Sequence, residues 1–446
     1  MNLKKLLLGT FLFFLMTAAK EIKITDYLNL PAIPFEYNNT LPAYFTASVV
    51  GIDNTPVANP ITNNGATLGR VLFYDKNLSL NRTVSCASCH KATEGFSDSR
   101  VLGVGFAGGT TGRHGMTLIN ARYYENGRFF WDERAATLET QVLLPLQDAT
   151  EMGLTAIQIS QRVSAQPYYN QLFINAFGDN AVTNDRVSKA LAQFVRSIIS
   201  YQSKYDVGRV QVNNRNNPFP NFTTQENQGK QLFLTPINIV NGANIGGGGC
   251  AGCHNSEAFI SVRPENNGLD LVTIDSGVGG VAPVRNNLIG AFKNSSIRNI
   301  ELTAPFMHDG RFSTLEQVVE HYNSGIQAHP NLSNPLKNPN GTPVRLNFIT
   351  VQKSALVAFL KTLTDNSLAT EARWSNPFCL TNLSFSGTVT SGTFQSSNEI
   401  SVQNGSTTQI QSGNEVNFIS GKSILINPTF EVKAGSVFKA QISGCN

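Results

Sequence analysis

Two short stretches repeat one pattern: "CASCH", with Cys86, Cys89 and His90, and "CAGCH", with Cys250, Cys253 and His254. A Cys-x-x-Cys pair serves a redox dithiol, half of a zinc site or the covalent attachment of a haem, and the histidine after each pair points to the last. Haem attachment needs two thiols that reach the two vinyl groups and an imidazole that ligates the iron from one side. A structural zinc site gathers four ligands, and a thioredoxin-type pair is expected once, in a βαβ context that this chain lacks. Two occurrences in one chain read as two c-type haem sites.

The rest of the sequence must position these groups. The chain has 446 residues, a formal net charge of +4 and no basic run, so nucleic acid is not suggested as a partner. Lys4 and Lys5 precede "LLLGTFLFFLMTAA", which ends in small residues at Ala18–Ala19. Residues 1–19 therefore read as a signal peptide, and the protein as exported to the periplasm or cell envelope. Cys379 and Cys445 flank a separate C-terminal stretch, where an oxidising compartment would allow a disulfide. Residues 20–60, rich in Pro, Asn and Thr, read as a loosely structured arm. Beyond them the pattern is mainly helical. "RVSKALAQFVRSI" puts Val187, Ala190, Leu191, Phe194, Val195 and Ile198 on one face, and "KSALVAFLKTL" does the same with Leu356, Phe359, Leu360 and Leu363. After Pro377, short β-prone runs punctuated by Ser, Gly and Asn predict a small all-β module, 377–446, built as a stack of short rungs. It carries no histidine, and attachment, sorting or stabilisation is its expected role.

Four longer stretches, "LGRVLFYDKNLSLNRTVSCASCH", "GRHGMTLINARYYENGRFFWDERAATLETQVLLPLQDATEMG", "CAGCH" and "NSSIRNIELTAPFMHDGRFSTLEQVVEHY", resemble the bacterial dihaem cytochrome c peroxidases and their relative MauG over roughly residues 50–365. The resemblance implies two cytochrome c-like helical domains, 61–225 and 226–366, each with a covalent haem. It implies a peroxidatic first haem and a second haem that receives electrons, with Trp131 of "FFWDER" as the relay between them. Gln141 and Glu151 match the distal glutamine and glutamate. A carboxylate over an open haem can move a proton from the inner to the outer peroxide oxygen as general acid/base. Glu151 takes that role, and Gln141 orients peroxide.

Three departures from the family pattern matter. "DSRVLGVGFAGGTTG" holds no histidine to cap the first haem, which suggests an open one, with His114 as a substitute cap. Tyr322 stands where the typical peroxidase has a methionine ligand to the second haem iron and where MauG has a tyrosine; Met307 or His308 are the alternatives. "STLE" reads as a capping box with Ser313 as N-cap and Glu316 at N3, which puts Leu315, Val318, Val319 and Tyr322 on one helix face. The family's interdomain calcium is carried by backbone carbonyls that Thr303 and Pro305 match. His114 replaces an asparagine there and removes a hard oxygen ligand, which calcium prefers.

The expected function is reduction of hydrogen peroxide to water, with electrons from a small donor protein, a c-type cytochrome or a cupredoxin. One alternative is a MauG-like enzyme that oxidises a protein or small substrate through a high-valent haem state. The other is a dihaem electron carrier, against which Gln141 and Glu151 speak. A surface or envelope partner for the β module and a homodimer remain open expectations.

Overall fold

The computed structural model describes residues 25–442, apart from 26, 241–242, 262 and 403–406. The expected signal peptide and Cys445 lie outside the described residues.

Two helix pairs organise the molecule. In the first half, α1 (Ala43–Val49) precedes α2 (Asn63–Tyr74), followed by α3 (Leu138–Gln147), α4 (Ala156–Ser164), α5 (Pro167–Phe177) and α6 (Asn184–Ser197). Thr183 caps α6 by accepting a hydrogen bond from the Arg186 amide, and the expected apolar face of α6 is buried against α2. The crossing is close. A Cβ at Gly69 of α2 would stand 2.0 Å from the Ala190 carbonyl oxygen, so only glycine fits. The second half repeats the device with α7 (Lys204–Arg209), α8 (Thr224–Leu234), α9 (Leu315–Glu320) and α10 (Thr350–Lys361). There a Cβ at Gly229 of α8 would stand 1.8 Å from the Ala355 carbonyl oxygen of α10.

Each half has its own core. Phe73, Phe96, Leu191 and Phe194 centre the first, and Phe233, Phe259, Phe359 and Leu363 the second. Tyr205, Phe219 and Phe222 belong to the second core, so its chain begins upstream of the boundary expected at residue 226. The arm is also more committed than its composition suggested. Leu28 and Tyr37 are buried in the first core, while Phe45 and Val49 of α1 pack with Tyr123, Tyr124, Ile199, Ala258 and Ile260 where the halves meet. These residues carry no periodicity because each fills a separate gap on a surface already formed.

The chain then returns. After α11 (Ser367–Thr370), Trp374 is buried in the first core, and Arg70 Nε donates to the Ser375 carbonyl at 2.9 Å. A short hairpin, β1 (Ile239–Val240) with β2 (Ala243–Asn244), precedes the second motif. The C-terminal module holds β3 (Cys379–Phe385), β4 (Gly387–Val389), β5 (Gly392–Val402), β6 (Thr408–Ile410), β7 (Glu415–Ser420), β8 (Ser423–Leu425), β9 (Phe430–Val432) and β10 (Val437–Ile442). Every pairing among these is parallel. One sheet runs β10-β7-β5-β3 with β8 beside β5, and the other runs β4-β6-β9. This is the expected stack of rungs, with Ile400, Ile410, Val416 and Phe418 buried between the sheets. Cys379 is disulfide-bonded.

One buried ion pair ties the arm to the second half. Arg298, fully buried, meets Asp206 Oδ2 at 2.6 Å and gives two further N–H bonds to the Glu257 carbonyl at 3.0 and 2.7 Å. The Tyr44 hydroxyl donates to the other Asp206 oxygen at 2.7 Å. Burial alone would raise the Asp206 carboxyl, but the Arg298 guanidinium outweighs it and holds it below its ordinary value. Arg298→Met leaves that carboxylate buried without its cation, and is expected to cost about 3–5 kcal/mol in a chemical denaturation experiment.

Candidate active site

The first motif opens a tight turn, Cys86–Ser88, with reciprocal Ser85 and Ser88 side-chain bonds at its start. The His90 amide donates to the Cys86 carbonyl at 3.0 Å, which puts both thiols and the imidazole on one wall. Phe96, at φ +53°, turns its carbonyl toward the ring, 3.1 Å from His90 Nδ1. With Nδ1–H given to that carbonyl, Nε2 keeps its lone pair. Burial lowers the His90 pKa, and the ring is held neutral. Cys86, Cys89 and His90 line one cavity together with Leu191 and Val195 of α6. Burial pushes the Cys86 thiol up to about 12, the reverse of what a reactive redox pair shows. Among the described residues, no three His, Cys, Asp or Glu side chains stand close enough to hold a bare metal ion. Two thiols and a neutral imidazole on the wall of a largely apolar cavity fit a covalent haem.

Gln141 and Glu151 line this same cavity. Thr137 caps α3, which presents Gln141, Val142 and Pro145 to it. The turn after α3, where the Glu151 amide donates to the Asp148 carbonyl, delivers Glu151. Burial raises the Glu151 carboxyl above its ordinary value; Asp148 adds to the effect and Arg134 opposes it.

The second motif repeats the turn at Cys250–Gly252, entered from Gly249 at φ +65°. The His254 amide donates to the Cys250 carbonyl at 2.9 Å, and burial lowers the ring to about 4. The Phe259 backbone, placed as Phe96 is at His90, opposes that lowering. The second cavity is the larger of the two and runs from Cys250, Cys253 and His254 past Tyr322 and Met307 to Trp131 and His114. Tyr322 and Met307 both face it, so the geometry keeps both as second-iron ligand candidates. Burial pushes the Tyr322 hydroxyl up to about 12, and Asn267 Nδ2 reaches Met307 Sδ at 3.5 Å. The capping box before this helix is one residue later than expected. Thr314 is the N-cap and Gln317 closes the box, because the Gln317 side chain also reaches the Ser313 and Thr314 amides. Tyr322 then lies on a wider π turn, His321–Gly325, that follows α9.

Trp131 lies at the meeting of the halves. Its Nε1 donates to the His114 carbonyl at 2.8 Å, and its ring stands edge-on to His308, 6.5 Å between centroids. His308 stacks on Phe292 at 3.7 Å. His114 is committed to protein partners: Nδ1 lies 3.1 Å from the Arg100 carbonyl and Nε2 3.3 Å from Ser97 Oγ. It lines the second cavity, not the first, so it supplies no ligand opposite His90. Thr303 and Pro305 line that second cavity as well.

Sequence reasoning missed two features. Lys293 is buried on the second cavity wall, its Nζ over the Tyr124 ring at 4.3 Å, and burial lowers it to about 8. The second is a duplication. Antiparallel bridges Phe129↔Ala135 and Phe306↔Phe312 close equivalent turns, placing Trp131 and His308 at matching positions. Thr137 and Thr314 then cap equivalent helices, so Gln141 and Pro145 in the first cavity correspond to Val318 and Tyr322 in the second. Aligning "FFWDERAATLETQ" on "FMHDGRFSTLEQV" would have found it.

Residues 63–213 match the family model described as di-haem cytochrome c peroxidase. The methylamine utilization protein MauG of Methylorubrum extorquens is 33% identical over 310 residues, 69% of this chain and 80% of that protein. The cytochrome c551 peroxidase of Nitrosomonas europaea is 30% identical over 335 residues, 73% of this chain and 89% of that protein. The crystal structure of a MauG-like protein associated with microbial copper homeostasis superposes with a TM-score of 0.64 at 30% identity, covering 77% of this chain and all of that one.

Mass spectrometry of the denatured protein is expected to find two haems retained covalently. The Cys86→Ser/Cys89→Ser and Cys250→Ser/Cys253→Ser variants should each retain one.

Proposed function

The chain belongs to the di-haem cytochrome c peroxidase and MauG family and is an oxidoreductase, and we propose that it reduces hydrogen peroxide to water at the first cavity. Two electrons come from a small redox protein and two protons from solvent, giving two waters. The observation that carries this reading is Glu151 and Gln141 on the wall of the cavity that holds Cys86, Cys89 and His90. A haem bound there supplies an iron that binds peroxide and takes up the electrons. The His90 ring, oriented by the Phe96 carbonyl, offers Nε2 to that iron. His90 is the one histidine among the described residues lining this cavity, in keeping with an open face opposite it. Gln141 orients peroxide by hydrogen bonding. Glu151 accepts the proton of one peroxide oxygen and returns it to the other, which turns a poor leaving group into water.

In the second cavity, His254 is the proposed proximal ligand, with Tyr322 as the sixth ligand and Met307 as its alternative. Trp131 is the proposed relay between the two. Export to the periplasm or envelope fits the amino-terminal sequence, and no helix among the described residues is long and apolar enough to cross a membrane. A second reading, oxidation of a protein or small substrate, is favoured by Tyr322 facing the second cavity and by the likeness to MauG.

Glu151→Gln tests the main reading. It is expected to lower kcat for peroxide by about 10²–10⁴-fold with both haems retained. The pH profile carries the sign. Because the Glu151 pKa is raised, the carboxylate that accepts the proton is lost as pH falls through that raised value. The acidic limb of activity should therefore lie above the ordinary glutamate range of about 4.3 and vanish in the variant. Unchanged turnover in Glu151→Gln would contradict the assignment.

A further inference from the structure

The β module has no counterpart in the peroxide chemistry, yet it touches the turn that braces Glu151. We propose that it is a positioning element of the first cavity, acting through Thr393. The proposal rests on the acid/base reading of Glu151.

Thr393 lies buried on β5 and donates from Oγ1 to the Arg82 carbonyl at 2.7 Å. Asn417 on the adjacent β7 donates from Nδ2 to Thr393 Oγ1 at 3.4 Å, so a second rung supports the hydroxyl that meets the Arg82 carbonyl. Arg82 sits at φ +60°, a left-handed conformation that a residue with a side chain keeps only when its surroundings hold it. The residues just before it reach the Glu151 turn by two routes. The Leu80 amide donates to the Met152 carbonyl at 2.8 Å. The Asn81 side chain donates to the Phe106 carbonyl at 2.6 Å, and the Phe106 amide donates to the Glu151 carbonyl at 2.9 Å. Hydrogen bonds linked through the backbone of residues 80–82 and Phe106 thus join the module to the backbone of the proposed acid/base.

A domain serving only for attachment or sorting would hang from its linker and need no hydroxyl aimed at this turn. The linker is itself anchored, since Trp374 is buried in the first core, so the module is held rigidly enough to transmit position. Supporting bonds of this kind fix a functional side chain to within fractions of an ångström, and their loss shows in rate and protonation more than in folding.

Thr393→Val keeps the shape and removes the donor; Thr393→Ser keeps the donor. Both are made in the full-length holoprotein. Amide hydrogen exchange is followed by mass spectrometry across residues 79–83, 148–153 and, as a reference, 315–322. Turnover with peroxide is measured against pH. Thr393→Val should speed exchange several-fold across 79–83 and 148–153 and leave 315–322 unchanged. Its kcat should fall by about tenfold, the lower end of what supporting hydrogen bonds carry. The acidic limb should shift, and Thr393→Ser should restore both. Parental exchange across 148–153 in Thr393→Val, whatever the change in Tm, overturns the inference. So does loosened exchange with unaltered turnover and acidic limb in a protein whose Glu151→Gln variant is inactive. If Glu151→Gln turns over like the parent while Thr393→Val loosens 148–153, the acid/base reading fails and the mechanical coupling stands.

Discussion

A neutral imidazole must be buried beside two thiols and aimed into an apolar cavity, and the bond between His90 and the Phe96 carbonyl shows how the chain meets that demand. The carbonyl can turn inward because Phe96 adopts a left-handed backbone, and its ring is simultaneously sunk in the first core. Core packing and ring orientation are thus one event. His254 shares the constraint, with Phe259 likewise left-handed and fully buried. The close helix crossings at Gly69 and Gly229 complete the frame, letting α6 and α10 approach their partners closely enough to wall each cavity with side chains.

On that duplicated frame the two halves diverge in side chains and in the helix end, where α3 runs on through Pro145 and α9 gives way to the π turn that holds Tyr322. Equivalent helices, each capped by a threonine, present Gln141 and Pro145 to one cavity and Val318 and Tyr322 to the other. A polar amide beside Glu151, whose carboxyl burial raises, suits a small polar substrate. The other cavity instead carries the Tyr322 phenol on the wall that also holds His254. Trp131 and His308, at matching turns, meet edge-on where the halves touch. The chemical contrast between the two cavity walls thus rests on a small set of equivalent positions.

Legibility followed the range of the forces involved. The Cys-x-x-Cys-His turns are local and were plain from spacing. The apolar faces of α6 and α10 follow helical periodicity, and the rungs of the β module follow alternation between turn residues. What escaped depended on distant surfaces. Tyr37, Phe45 and Trp374 fill gaps in cores built by other segments, and no local pattern marks them. Tyr205 joined the second core although its helix follows the first without a break in composition. The capping box moved by one residue because Gln317 serves three neighbouring groups, the Ser313 amide and hydroxyl and the Thr314 amide. Glu151 and Gln141 were legible only through the family resemblance; a helix and a turn bearing them carry no other sign.

The claim at the centre is that the first cavity holds a haem open to peroxide, while the second is closed by a protein ligand. Electron paramagnetic resonance of the oxidised holoprotein, before and after an equimolar addition of hydrogen peroxide, tests it most directly. The account predicts a high-spin signal beside a low-spin one, with the high-spin signal lost on addition. Two low-spin signals that ignore peroxide, in both the oxidised and the half-reduced protein, would contradict it and leave an electron carrier.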